Sequence, residues 1–197
     1  MTIRGGTGND QLEGGAGDDV FLWNPGDGSD SLDGGLGSNT LNFSGANINE
    51  NLAVTSIPEG FQLTRDIAAV TLQVFNIQAL NVMALGGDDT ISTRPLDFTT
   101  QTFDGGTQTN ADTLTYDGQG LCTTQAPGFL ESVAHKPVLF TNFEAVTLAN
   151  AACMLQPIPT LGLPWRALLV ALLGGAITWA ILVKWRSRLA RSFPPAS

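Results

Sequence analysis

Gly5-Gly6-Thr7-Gly8-Asn9-Asp10-Gln11-Leu12-Glu13 runs without a break into Gly14-Gly15-Ala16-Gly17-Asp18-Asp19-Val20-Phe21-Leu22, and this stretch decides the fold. A third copy, Pro25-Gly26-Asp27-Gly28-Ser29-Asp30-Ser31-Leu32-Asp33, leads into a fourth, Gly34-Gly35-Leu36-Gly37-Ser38-Asn39-Thr40-Leu41-Asn42. The shared pattern is G-G-x-G-x-D-x-U-x, with U a large apolar residue. Glycines let the backbone turn through positive φ, so that carbonyl oxygens converge. The aspartate adds a hard anionic oxygen. Leu12, Phe21, Leu32 and Leu41 at the U position aim each following short strand at a core. Carbonyl and carboxylate oxygens gathered in this way suit Ca²⁺, which takes about six to eight oxygen ligands. A flexible Gly/Asp linker is the competing reading, but a linker has no need of an apolar residue at one fixed position.

The period sets the stacking. Asp10 to Asp19 is nine residues, Asp19 to Asp30 eleven, and Asp30 to Asn39 nine. Two nonapeptides make one coil of a flattened solenoid. The turns of Asp10 and Asp30 then lie over one another on one edge, and those of Asp19 and Asn39 on the other. The two extra residues, Trp23 and Asn24, are expected in a loop between coils. In these features the chain resembles the RTX family of hemolysin-type calcium-binding repeats, which form a parallel β-roll. The resemblance implies Ca²⁺ held between stacked turns. Its ligands would be the carboxylates of Asp10, Asp19 and Asp30 and carbonyls around Gly6, Gly8, Gly15, Gly17, Gly26 and Gly28. Asn39 departs from the pattern, and its neutral amide oxygen implies a weaker outer site. Residues 1–45 are expected to fold on binding calcium and to be largely unfolded without it.

Residues 46–150 keep a looser form of the same grammar. Short apolar runs at Leu52–Val54, Phe61–Leu63, Ala69–Val74 and Leu80–Val82 read as strands between Gly, Asn, Asp and Thr turns. Leu85-Gly86-Gly87-Asp88-Asp89 and Asp104-Gly105-Gly106-Thr107, followed by Asp112, are degenerate copies of the turn. Asp89 and Asp112 therefore read either as calcium ligands or as turn caps that hydrogen-bond their own backbone. Exported RTX-like proteins carry blocks similar to Trp23–Asp30 and Ala84–Thr90, and the resemblance spans most of residues 1–115.

Charge divides the chain. The formal net charge is −9, all 18 acidic residues precede Pro157, and five of the nine basic residues lie beyond it. An acidic body of this kind repels nucleic acid and attracts divalent cations. Ala167–Val183 is a run of 17 residues without a charge, long enough to cover about 25 Å as a helix against a bilayer core roughly 30 Å thick. Lys184, Arg186, Arg188 and Arg191 follow it, which predicts a cytoplasmic tail. Just before it stands Pro157-Ile158-Pro159-Thr160-Leu161, and the order of motif, apolar run and basic cluster resembles the IPTL-CTERM sorting signals of bacteria. That resemblance implies cleavage near Ile158, Pro159, Thr160 and Leu161 by an exosortase-type membrane peptidase; a retained anchor is the alternative. No apolar leader precedes the first repeat, which points to a fragment or a mis-started reading frame of a longer exported protein.

Cys122 and Cys153 make an even count, which favours a disulfide in an exported domain; two free thiols are the alternative. His135 is the sole histidine, no G-x-S-x-G elbow occurs, and the aspartate spacing is explained by turns, so no catalytic residue is assigned. The expected fold class is all-β, a parallel β-roll or β-helix solenoid followed by one C-terminal transmembrane α-helix. The expected segments are a calcium-binding roll at 1–45, its degenerate continuation at 46–150, a linker at 151–164, the helix at 165–185 and a basic tail at 186–197. The expected function is that of a non-enzymatic calcium-binding surface or secreted protein, with calcium ions and the membrane as partners and no nucleic acid. The alternative is the C-terminal remnant of a larger secreted RTX enzyme, toxin or adhesin.

Overall fold

A computed structural model describes residues 1–107 and 110–155. Seventeen strands follow one another: β1 (Thr2–Ile3), β2 (Gln11–Glu13), β3 (Val20–Trp23), β4 (Ser31–Asp33), β5 (Thr40–Ser44), β6 (Asn51–Ile57), β7 (Gly60–Arg65), β8 (Val70–Phe75), β9 (Ala79–Met83), β10 (Thr90–Thr93), β11 (Thr100–Asp104), β12 (Thr113–Asp117), β13 (Cys122–Ala126), β14 (Phe129–Ser132), β15 (Val138–Thr141), β16 (Ala145–Ala149) and β17 (Cys153–Leu155). They form two sheets, ordered β1-β3-β5-β9-β11-β15-β14-β13-β17 and β16-β12-β10-β6-β7-β8-β4-β2. The chain alternates between the sheets, so each coil contributes to both. Leu12 pairs with Leu32 and Phe21 with Leu41, both in parallel register. One coil of the nonapeptide region thus takes twenty residues at these pairs and eighteen where Ile3 pairs with Phe21.

Alternation within each strand builds the core. Phe21 and Trp23, Leu41 and Phe43, and Leu80 and Val82 point inward from one sheet; Leu52 and Val54, Leu72 and Val74, and Leu114 and Tyr116 do so from the other. Because side chains alternate with a period of two, a slip of one residue would expose the whole set. Trp23 is not a loop residue. It ends β3, is 1% exposed, and stacks on Phe43 with ring centroids 4.3 Å apart. An indole at that position extends the inward row by one residue.

The expected fold class requires correction in two respects. First, the roll is not purely parallel. β6, β7 and β8 form an antiparallel meander in one sheet, and β13, β14 and β15 form another in the other sheet. A three-stranded meander leaves its outer strands running the same way. β8 and β6 therefore still pair in parallel with β4 and β10, as β15 and β13 do with β11 and β17. Each meander opens with a two-residue turn, Pro58-Glu59 or Pro127-Gly128, with φ of 66° at Glu59 and 72° at Gly128. Pro followed by a positive-φ residue is the type II turn. Second, among the described residues no helix is long and apolar enough to cross a membrane; the helical content described is one 3-10 turn at Ile67–Ala69. The apolar run expected as a transmembrane helix and the motif at Ile158, Pro159, Thr160 and Leu161 lie outside the described residues.

Removing the Phe43 ring should expose the Trp23 face and leave a cavity. The Phe43→Ala variant is expected to lose about 3–5 kcal/mol, read as a lower urea midpoint in saturating calcium.

Candidate metal centre

The turns at the two edges of the roll carry the functional side chains, and the stacking of coils positions them. The Asp10 amide donates to Asp30 Oδ1 at 2.9 Å, and the Asp19 amide to Asn39 Oδ1 at 2.9 Å. The carboxylate or amide of each coil thus reaches back to the N–H of the preceding one. The residue before it reaches forward: the Ser29 amide donates to Asn9 Oδ1 at 3.0 Å and the Ser38 amide to Asp18 Oδ1 at 2.7 Å. Two opposed rows of side-chain acceptors therefore lace the turns together.

Carboxylate oxygens in these rows and in a later one have no partner among the described residues. Asp10 Oδ2, Asp19 Oδ2, Asp89 Oδ2 and Asp112 Oδ2 are buried and accept no hydrogen bond among the described residues. A buried ionised oxygen without a donor carries the full desolvation cost, which a proton or a cation relieves. At Gly14, the point where a Cβ would stand lies 2.6 Å from the Gly34 carbonyl oxygen and 2.7 Å from Asp19 Oδ2. An oxygen from each of two coils faces a space that the missing side chain leaves open. Asp19 Oδ1 already faces the Met1 ammonium at 2.7 Å; the unpartnered Oδ2 oxygens fit a hard cation, which when bound supplies positive charge beside them. Side chains alone do not make the site: among the described residues no group of three or more His, Cys, Asp or Glu side chains is placed to hold a metal. Backbone carbonyls would have to complete any shell.

The glycines divide by role. Gly6, Gly8, Gly15, Gly17 and Gly26 have φ between 79° and 122°. Gly28 lacks positive φ but is constrained more tightly, because a Cβ there would overlap the Gly8 carbonyl of the preceding coil. The first glycine of the turn, at Gly5 and Gly14, is the one beside the carboxylate: its Cβ would lie 2.8 Å from Asp10 Oδ2 and 2.7 Å from Asp19 Oδ2 respectively. Sequence reasoning passed over that position in favour of the second and fourth. Asn39 uses both ends of its amide on protein, accepting from Asp19 and donating to the Asn76 carbonyl at 3.1 Å.

Residues 2–22 and 26–47 match the RTX calcium-binding nonapeptide repeat, in four copies. No curated protein and no solved structure matches the chain. The RTX turns are thus the ones whose carboxylates stack as described above.

Asp89 and Asp112 belong to a second stack beyond the matched residues. The Glu50 amide donates to Asp89 Oδ1 at 2.8 Å, the Asp89 amide to Asp112 Oδ1 at 2.7 Å, and the Asp112 amide to Glu144 Oε2 at 2.9 Å. Glu50 and Glu144 were not singled out from sequence. The available signal for Glu144 was the correspondence of Asn142-Phe143-Glu144-Ala145-Val146 with Asn76-Ile77-Gln78-Ala79-Leu80, since Gln78 Oε1 accepts from the Asn39 amide in the same manner. Each of these short turns begins with an asparagine at positive φ whose side chain donates to an aspartate one coil earlier, Asn76 to Asp33 and Asn142 to Asp104. Glu50 is paired with Arg65, and both are buried; the guanidinium also lies 5.7 Å from the Trp23 ring centroid.

Burial raises the pKa of Asp89 to about 6, against the Glu50 N–H that lowers it and with the charges of Asp112, Glu50 and Asp88 adding to the rise. Burial likewise raises Asp30, with Asp10 and Asp27 nearby, and Asp112, with Glu144, Asp88 and Asp104 nearby. The folded chain therefore holds these protons more tightly than the unfolded chain does. Metal-free stability should be greatest near pH 4 and fall as the pH rises through about 6, by on the order of 3 kcal/mol for Asp89. Urea midpoints in calcium-depleted buffer should show this decline, and Asp89→Asn should flatten it. Breaking the buried ion pair is a separate case: Arg65→Met strands Glu50 and is expected to cost about 3–5 kcal/mol in the same assay at pH 7.

Proposed function

We propose that this chain is a non-enzymatic calcium-binding protein of calcium-rich surroundings outside the cell, in which the RTX turns take up Ca²⁺ and fold with it. The observation that carries this reading is the pair of buried, partnerless oxygens Asp10 Oδ2 and Asp19 Oδ2 within repeats of a calcium-binding family. The net charge of −9 favours divalent cations over nucleic acid. The raised aspartates are accounted for by coil stacking, so no acid–base pair is assigned to them. Asp10, Asp19 and Asp30, with carbonyls of the glycine turns, are the proposed ligands; Asn39, with its amide occupied at both ends, is proposed as a stacking residue.

A Cys122–Cys153 disulfide belongs to the same reading. The two are register partners on adjacent parallel strands. Such strands lie about 4.8 Å apart, within the roughly 4.4–6.8 Å that a disulfide spans between Cα atoms. An oxidising compartment suits both the bridge and the calcium.

Far-UV circular dichroism during a calcium titration should show β signal rising with a midpoint of about 10⁻⁴–10⁻³ M, the range of extracellular calcium modules. The D10N/D19N/D30N variant should shift that midpoint upward by at least about tenfold, equivalent to roughly 1.4 kcal/mol. A titration with no spectral change would sink the proposal. Intact mass should rise by two hydrogens on reduction; an unchanged mass would dismiss the bridge.

A further inference from the structure

Beyond the residues that match the RTX repeat, four carboxylates stand one above another on successive coils: Glu50, Asp89, Asp112 and Glu144. Glu50, Asp89 and Asp112 have 1%, 1% and 0% of their surface exposed. Each link is made by one oxygen accepting the N–H of the coil before. In Asp89 and Asp112 the other oxygen is buried and unpartnered among the described residues. In Glu50 the matter is resolved within the protein, because Oε2 accepts from the Ala46 amide at 2.8 Å and Oε1 faces the Arg65 guanidinium.

Carbonyl oxygens meet the column at the Glu50 and Asp112 levels. A Cβ on Gly105 would meet both Asp112 Oδ2, at 2.8 Å, and the Asn142 carbonyl oxygen of the next coil. One on Gly45 would meet Glu50 Oε2 and, at 2.7 Å, the Ala84 carbonyl oxygen. This repeats the pairing of Asp19 Oδ2 with the Gly34 carbonyl at Gly14. The RTX stack and this later stack do not join, since β4 is followed in its sheet by β8, and the β6–β8 meander separates Asp30 from Glu50.

We propose that Asp89 and Asp112 form a second, separate calcium-binding column, whose first member Glu50 is neutralised by Arg65 rather than by metal. The inference deepens the calcium reading above. The charge count favours it: a column of buried carboxylates needs positive charge at every level, and Arg65 is the buried cation at the Glu50 level. Hard carboxylate and carbonyl oxygens then select Ca²⁺ at Asp89 and Asp112, without the nitrogen or sulfur donors that transition metals prefer. Arg65 is delivered by the meander, so the insertion that interrupts the first stack also supplies the cation that starts the second.

Amide hydrogen exchange on the wild-type full chain, with calcium and with chelator, tests this directly. Calcium should slow exchange both in residues 5–20 and in residues 84–91 and 110–115. Slowing confined to residues 5–20 would overturn the second column and leave the RTX reading intact. Slowing confined to the later residues would support the second column and remove the RTX reading; no slowing anywhere would remove both. Equal slowing by Mg²⁺ would overturn the assignment to calcium. Equilibrium dialysis gives an independent count: D10N/D19N/D30N should retain bound calcium that D89N/D112N lacks at the same free concentration. Equal calcium content in D89N/D112N and the wild type would overturn the column.

Discussion

The structure depends on a carboxylate shared between coils. One oxygen of Asp30, Asp89 or Asp112 accepts the backbone N–H of the coil before it. The hydrogen bond fixes the stacking of turns that have almost no apolar side chains of their own. It also requires burial of a charge, with Asp89 and Asp112 left one oxygen short of a partner. The same group that aligns the coils therefore creates a demand for positive charge at their edge.

Three answers to that demand coexist in the chain. At Asp10 and Asp19 the family match points to calcium. At Glu50 the answer is a guanidinium carried in on β7, which also lies over the Trp23 ring. At Asp19 Oδ1 it is the Met1 ammonium, 2.7 Å away. Carboxylates met by protein cations and N–H groups hold their register through those contacts.

The core follows a simpler rule. Phe21, Leu41 and Leu80 line one sheet and Leu32, Val74 and Leu63 the other because strands of alternating polarity leave them no other dry face. The meanders fit this rule without disturbing it. Their middle strand adds Phe61, Leu63 and Leu130 to the same interior, so each insertion widens a sheet and enlarges the core together. Tyr116 is buried in that interior, where its hydroxyl meets the buried Ser132 hydroxyl at 2.8 Å, itself 2.8 Å from the Thr123 hydroxyl.

Local pattern was enough to establish the nonapeptide beat, the apolar position within it, and the edge on which each of Asp10, Asp19, Asp30 and Asn39 lies. Those features depend on residues within about twenty positions of each other, where glycine dihedrals and strand alternation act directly. The meanders were not legible, because strand direction depends on which neighbours remain unpaired across the sheet. Trp23 was misplaced for the same reason: its burial is set by Phe43 one coil away. Glu50, Arg65 and Glu144 acquire their roles from partners between 15 and 39 residues distant. Charge compensation in a buried site is a sum over everything packed around it, and only the folded chain brings those terms together.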